Sequence, residues 1–77
     1  MTLKSQLQAD LKLNRYTLSD LAKEAGHTNT HVYAILNGKI EPTLKASICL
    51  SYAANRLTES TTYTPDMFFT IIKELNQ

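Results

Sequence analysis

The sequence predicts an all-α fold of five short helices in a single domain. Apolar residues recur at helical spacing along almost the whole chain. The two glycines and two prolines fall at the boundaries of these periodic segments, where helices are expected to begin or end. With 77 residues, the chain has room for one domain around one small core.

The first helix is expected over residues 3–12. Leu3, Leu7 and Leu11 recur every four residues and give this segment one apolar stripe. Residues 14–16 then read as a short connection. We therefore expect a helix that packs through one side only.

The second helix is expected to begin after Thr17, which is a favourable N-cap residue. Asp20 stands three positions later, where a capping box has its reciprocal partner. Gly26 follows the helix at a position that often needs a positive φ. The inward side is predicted to consist of Leu18, Leu21, Ala22 and Ala25.

The third helix is expected over residues 29–36, with Thr28 as its N-cap. Asn37 and Gly38 both tolerate the left-handed conformation and are expected to end it. Its buried side is predicted to be Val32, Ile35 and Leu36. The opposite side then carries Asn29, Thr30, Tyr33 and Ala34.

The fourth helix is expected to follow Thr43 as its cap and to be apolar on two sides. One side carries Leu44, Ile48 and Tyr52, and the other carries Ala46, Leu50, Ala53 and Leu57. This pattern predicts a central helix packed on both sides. Residues 58–63 are polar and are expected to form a loop.

The fifth helix is expected over about 65–76, because Thr64 is a suitable cap and Pro65 fits the first helical position. Its stripe either completes the chain's own core or faces a partner chain. The stripe has more apolar area than a terminal helix needs to complete the core. This favours a helix that contacts both the chain's own core and a second copy of the chain, and therefore a homodimer. The predicted interface residues are Phe68, Ile71, Ile72 and Leu75.

The most informative segment is residues 16–26, YTLSDLAKEAG, followed by Val32, Ile35, Asn37-Gly38-Lys39, Pro42 and Leu44. This pattern resembles the helix-turn-helix domain of phage Cro and repressor proteins and their bacterial relatives, the XRE-like family. The resemblance covers roughly residues 3–57. His27, Leu36 and Ser47 depart from the usual pattern, and Ser47 suggests a fourth helix shifted toward Ile48.

The resemblance implies a five-helix lambda-repressor-like domain whose third helix enters the major groove of DNA. It places base contacts on Asn29, Thr30, Tyr33 and Ala34 and phosphate contacts on Thr17, Thr28, Asn37 and Lys39. The residue chemistry agrees, because Asn can bond bidentately to adenine, while Thr and Ala methyl groups can contact thymine.

Charge alone does not indicate a nucleic-acid partner, since the formal net charge is only +1. No glycine-rich phosphate loop or arranged catalytic group is present, so we expect no enzymatic activity and no cofactor. Neither His27 nor His31 has a second ligand at metal spacing, which argues against zinc. The single cysteine, Cys49, and the lack of a signal-like apolar N-terminus favour the cytoplasm.

These observations predict a DNA-binding transcriptional regulator, most simply a Cro-like repressor that binds a palindromic operator as a homodimer. The alternative is an antitoxin or another protein-interaction module on the same fold, with the fifth helix binding a partner protein. The weak net charge and the apolar fifth helix motivate this alternative.

Overall fold

The computed structural model describes residues 2–69, which form four complete helices and the beginning of a fifth. The fifth helix, α5, begins at 65 and is helical to 69, where the described part of the chain ends. The complete helices are α1 (Leu3–Leu13), α2 (Leu18–Ala25), α3 (Asn29–Leu36) and α4 (Leu44–Thr58). The predicted all-α class and the predicted start of every helix are confirmed.

A threonine N-cap fixes the start of each of the four complete helices. In every case the residue is extended, and its side chain accepts a hydrogen bond from the backbone N–H three positions later. Each such cap stabilises a helix by about 1 kcal/mol. The caps are Thr2, Thr17, Thr28 and Thr43, of which the last three were predicted.

The core takes one face from each helix and also includes Tyr63 from the loop after α4 and Phe68 from α5. α4 packs against both α1 and α2, which confirms its predicted central position. The helical members of this core are Leu7, Leu11, Leu18, Leu21, Ala22, Val32, Ile35, Leu36, Leu50, Ala53, Ala54 and Leu57.

The prediction that α4 is packed on two sides is wrong for the part of the chain that the structure describes. The side with Ala46, Leu50, Ala53 and Leu57 is buried as expected. The other side remains open, with Leu44 63%, Ile48 48% and Tyr52 71% exposed. The spacing of apolar residues identifies an apolar face of a helix, but it does not show whether that face packs in the core or remains exposed for another molecule to bind.

Ser47 lies on the buried side of α4, and the predicted shift of this helix toward Ile48 does not occur. Ser47 has no exposed surface, whereas Ile48 is about half exposed. The Ser47 hydroxyl has no hydrogen-bond partner within the described residues. A buried hydroxyl without a hydrogen-bond partner costs stability.

The loop between α4 and α5 is held to the rest of the domain by Tyr63. The Asn55 side chain accepts from the Tyr63 backbone N–H and donates to its carbonyl, both at 2.8 Å. The Tyr63 phenol is buried and donates to the Asp10 carboxylate on α1. Burial, reinforced by Asp10, raises the pKa of Tyr63, so the phenol keeps the proton that it donates.

No helix within residues 2–69 combines the length and the apolar character needed to cross a membrane.

Candidate nucleic-acid interface

α2 and α3 are joined by a turn whose geometry depends on Gly26. Its φ of 77° lies in the left-handed region, which side-chain-bearing residues rarely adopt. A Cβ at this position would meet no atom within 4 Å, so backbone conformation and not crowding requires glycine. His27 and Thr28 complete the turn, and Thr28 caps α3 immediately. The predicted positions of Gly26 at the end of α2 and of Thr28 at the start of α3 are confirmed.

The capping box of α2 is also present as predicted. The Thr17 backbone N–H donates to Asp20 Oδ2 at 2.8 Å, and the Asp20 N–H donates to Thr17 Oγ1 at 3.3 Å. Leu21 and Ala22 on α2 are fully buried, as are Val32 and Ile35 on α3. α3 is therefore fixed by a shared core on one side and by short caps at its start.

The opposite side of α3 faces solvent and carries the four predicted base-contacting residues. Asn29, Thr30 and Tyr33 are exposed, and Ala34 is half-buried. These four residues line a single shallow cavity of about 380 Å³ together with Asn37 and Lys39. The structure thus brings six of the eight residues predicted for DNA contacts onto one surface, which we call the α3 surface.

The side chain of Asn29 is oriented by α2. Its Nδ2 donates to Ser19 Oγ at 2.9 Å. Because a carboxamide has two N–H donors and one carbonyl acceptor, Asn29 keeps one donor and its acceptor for a further partner. This is the pair of groups that a bidentate contact with adenine uses. Sequence reasoning missed Ser19, since no periodic signal links it to Asn29.

Lys4 of α1 is a second residue that sequence reasoning missed. Its ammonium donates to Asn37 Oδ1 at 2.9 Å and lies 5.2 Å from the centre of the Tyr33 ring. It therefore adds a positive charge to the C-terminal end of the α3 surface. A contact across 33 residues gives no local sequence signal.

The four predicted phosphate-contacting residues lie in different environments. Lys39 is exposed and Asn37 holds Lys4, while Thr17 and Thr28 act as helix caps. The hydroxyl of Thr17 already donates to Asp20 Oδ2, at 3.1 Å. Thr28 Oγ1 accepts from the His31 N–H at 3.2 Å, which leaves its hydroxyl hydrogen available. At the start of α2, the N–H groups that lack helical acceptors belong to Leu18 and Ser19, so these are better placed as donors than Thr17.

Comparison with known protein families shows that residues 7–48 match the model of a helix-turn-helix family. This region is more than half of the chain and contains all of α2 and α3. The chain belongs to the XRE-like helix-turn-helix family of DNA-binding regulators. The resemblance inferred from the sequence is thereby confirmed. Comparisons with curated proteins and with solved structures gave no significant match.

In this helix-turn-helix protein, the turn carries a histidine that contacts the third helix. His27 is half-buried, and its ring centre lies 4.9 Å from that of His31. The His27 Nε2 is buried without a hydrogen-bond partner among the described residues. Burial and, secondarily, the charge of His31 lower the pKa of His27 below its ordinary value of 6.5.

The lowered pKa of His27 predicts that the helix-turn-helix unit loses stability in mild acid. As pH falls through 6.5, the unfolded chain binds a proton at His27 before the folded chain does, so the free energy of unfolding decreases. The stabilising contribution is fully present above this range and is lost as pH approaches the lowered folded-state pKa. Denaturant unfolding at about pH 8 and about pH 5.5 measures the loss. His27→Gln should lose less stability than the wild type between the two pH values, and equal losses would contradict this assignment.

Residues 2–69 contain no group of three or more His, Cys, Asp and Glu side chains positioned to hold a metal ion. The pair of His27 and His31 alone does not supply the four ligands of a structural zinc site.

The predicted dimer interface on the fifth helix needs one correction. Phe68 has no exposed surface and belongs to the chain's own core, so it offers nothing to a partner chain. The spacing of apolar residues along a helix does not show which of them pack within their own chain and which contact a partner chain. Ile71, Ile72 and Leu75 lie outside the described residues.

Proposed function

We propose that this protein is a transcriptional repressor that binds a specific operator through the α3 surface. The observation that carries this proposal is that Asn29, Thr30, Tyr33 and Ala34 line one solvent-accessible surface on a rigidly held helix. Amide, hydroxyl and methyl groups supply direct contacts to base edges in the major groove. Asn37 and Lys39 border the same surface, where they are suited to position the duplex through its phosphates.

We further propose that the repressor acts as a homodimer in the cytoplasm, in the manner of a Cro-type protein. α3 has eight residues and is about 12 Å long, so a single copy contacts only a few base pairs. Two copies related by a twofold axis bind two half-sites about 34 Å apart and combine their selectivity. A palindromic operator is the consequence of this symmetry.

Selection of bound fragments from random duplex DNA, followed by affinity measurements against salt, tests this function. The expected result is an enriched palindrome and an affinity that decreases steeply with salt, with a logarithmic slope of about −0.9 per phosphate contacted. Binding that stays at about 10⁻⁴–10⁻⁶ M for every fragment would contradict a sequence-specific repressor.

A protein-interaction module on the same fold is the second candidate function. The open side of α4, with Leu44, Ile48 and Tyr52, is the observation that favours it. Ile48→Asp places a charge in the middle of this side without touching the α3 surface. If the variant keeps operator affinity but loses a protein partner, the interaction function is supported. If operator affinity falls only at low protein concentration, the same side serves the proposed homodimer.

A further inference from the structure

One side of α1 carries a row of polar residues that do not belong to the α3 surface. Lys4, Gln8 and Lys12 follow each other at intervals of four residues and therefore lie on one side of the helix. Leu7 and Leu11, on the neighbouring face of the helix, are fully buried. Gln8 and Lys12 are exposed, and Lys4 is half-buried where it contacts Tyr33 and Asn37. We call Lys4, Gln8 and Lys12 the α1 ridge.

The α1 ridge is continuous with the α3 surface. A second open cavity, of about 330 Å³, is lined by Gln8 and Lys12 of α1, by Tyr16, Thr17 and Leu18, and by Tyr33 of α3. Tyr33 also lines the cavity on the α3 surface, so the two cavities meet at its ring. Lys4 contacts the same ring. The α3 surface and the α1 ridge therefore form one continuous surface, and a single ligand can contact both.

The charge of this continuous surface fits a polyanion. Its lysines are Lys4, Lys12 and Lys39, and no acidic side chain lines either cavity among the described residues. The acidic residues of α2 line a different cavity, where Glu24 Oε1 lies 2.7 Å from Arg56 Nη1. That cavity also carries Lys23 and Arg56, so its charges balance, whereas the charged residues of the α3 surface and the α1 ridge are all lysines.

We propose that the α1 ridge binds the phosphate backbone of the DNA strand that flanks the α3 surface. Lys12 supplies a charge to one phosphate, and Gln8 donates an amide hydrogen bond beside it. Lys4 supplies a second charge while it holds Asn37 and Tyr33 in place. This inference rests on the proposed function and extends the DNA-contacting surface from the helix-turn-helix unit to the first helix.

Lys12→Gln, with Lys23→Gln as its control, tests the α1 ridge. Both lysines are exposed and lie in the last turn of a helix, so both substitutions remove one charge and the same favourable interaction with the helix dipole. Lys23, however, lines the cavity with Glu24 and Arg56 on the other side of α2. Operator affinity is measured for wild type and both variants between about 50 and 200 mM salt, the range over which phosphate contacts weaken strongly.

The wild-type protein and Lys23→Gln should show the same salt slope, and the slope of Lys12→Gln should be smaller by about 0.9. Over this fourfold salt range, the wild type should therefore lose about 3.5-fold more affinity than Lys12→Gln. Gln8→Glu is a second variant that keeps the fold and places a negative charge on the ridge. It should weaken binding to all duplexes by a similar factor, because phosphate contacts carry no sequence information.

Equal slopes for Lys12→Gln and Lys23→Gln, with a steep wild-type slope, would overturn the α1 ridge and leave the proposed repressor function standing. Unchanged affinity of Gln8→Glu would overturn it in the same way. A wild-type protein that does not bind duplex DNA would overturn both the ridge and the function. In that case, the lysine-bearing surface would be available to an acidic protein segment.

Discussion

Asn29→Ala is expected to weaken operator binding by about 1–3 kcal/mol, which corresponds to an increase in Kd of about 5- to 150-fold. The variant removes the only carboxamide at the start of α3, together with the acceptor and the free donor that a contact with adenine requires. Asn29 is exposed and belongs to no part of the core, so the thermal unfolding midpoint should change little.

The measurement compares the selected operator with a duplex in which one base pair of the contacted half-site is replaced. The wild type should discriminate between the two duplexes, and Asn29→Ala should lose that discrimination at one position only. Ser19→Ala is the matched control, because it removes the hydrogen bond to Asn29 but keeps the Asn29 carboxamide. It should cost less affinity than Asn29→Ala. Equal binding of the operator by Asn29→Ala and wild type would show that Asn29 does not contact a base.

Phe68→Ala is expected to destabilise the folded chain by about 3–5 kcal/mol. Phe68 has no exposed surface and belongs to the core, so truncating its side chain leaves a cavity there. A chain of 77 residues has a total stability of only about 4–12 kcal/mol. The expected loss is therefore a large fraction of the total stability, and the thermal unfolding midpoint of the variant should fall markedly.

Phe69→Ala is the control for Phe68→Ala, since it is the same substitution one position later at a half-exposed side chain. Denaturant unfolding of both variants should show a much larger loss for Phe68→Ala at every protein concentration. A loss that disappears at high protein concentration would instead place Phe68 in a contact between chains. That result would restore the interface predicted from the sequence and contradict its place in the core.

The elements of this fold were predictable wherever their signals are local. Thr17 and Asp20, which form the capping box of α2, lie within one helical turn. Gly26 and Thr28 stand at the two ends of the turn between α2 and α3, and each is a residue type typical of its position. The buried side of α3 follows from the spacing of Val32, Ile35 and Leu36, and its exposed side follows by exclusion. For this reason the residues of the α3 surface are predictable from the sequence alone.

The contacts that sequence reasoning missed join residues that are distant along the chain. The Tyr63 phenol bonds to Asp10 across 53 positions, and Lys4 bonds to Asn37 across 33. Neither pair leaves a periodic pattern, since each partner is a single polar residue on its own helix or loop. The interpretation of α4 and Phe68 failed for a related reason. A stripe of apolar side chains shows that a surface avoids water, but not which chain covers it.

The central claim is that α3 presents Asn29, Thr30, Tyr33 and Ala34 to the major groove of a specific duplex. The most direct test is an NMR titration of the ¹⁵N-labelled protein with the selected operator and with a scrambled duplex of equal length. We predict large shift changes at these four residues with the operator and much smaller changes there with the scrambled duplex. Changes confined to α4, or equal changes with both duplexes, would contradict the claim.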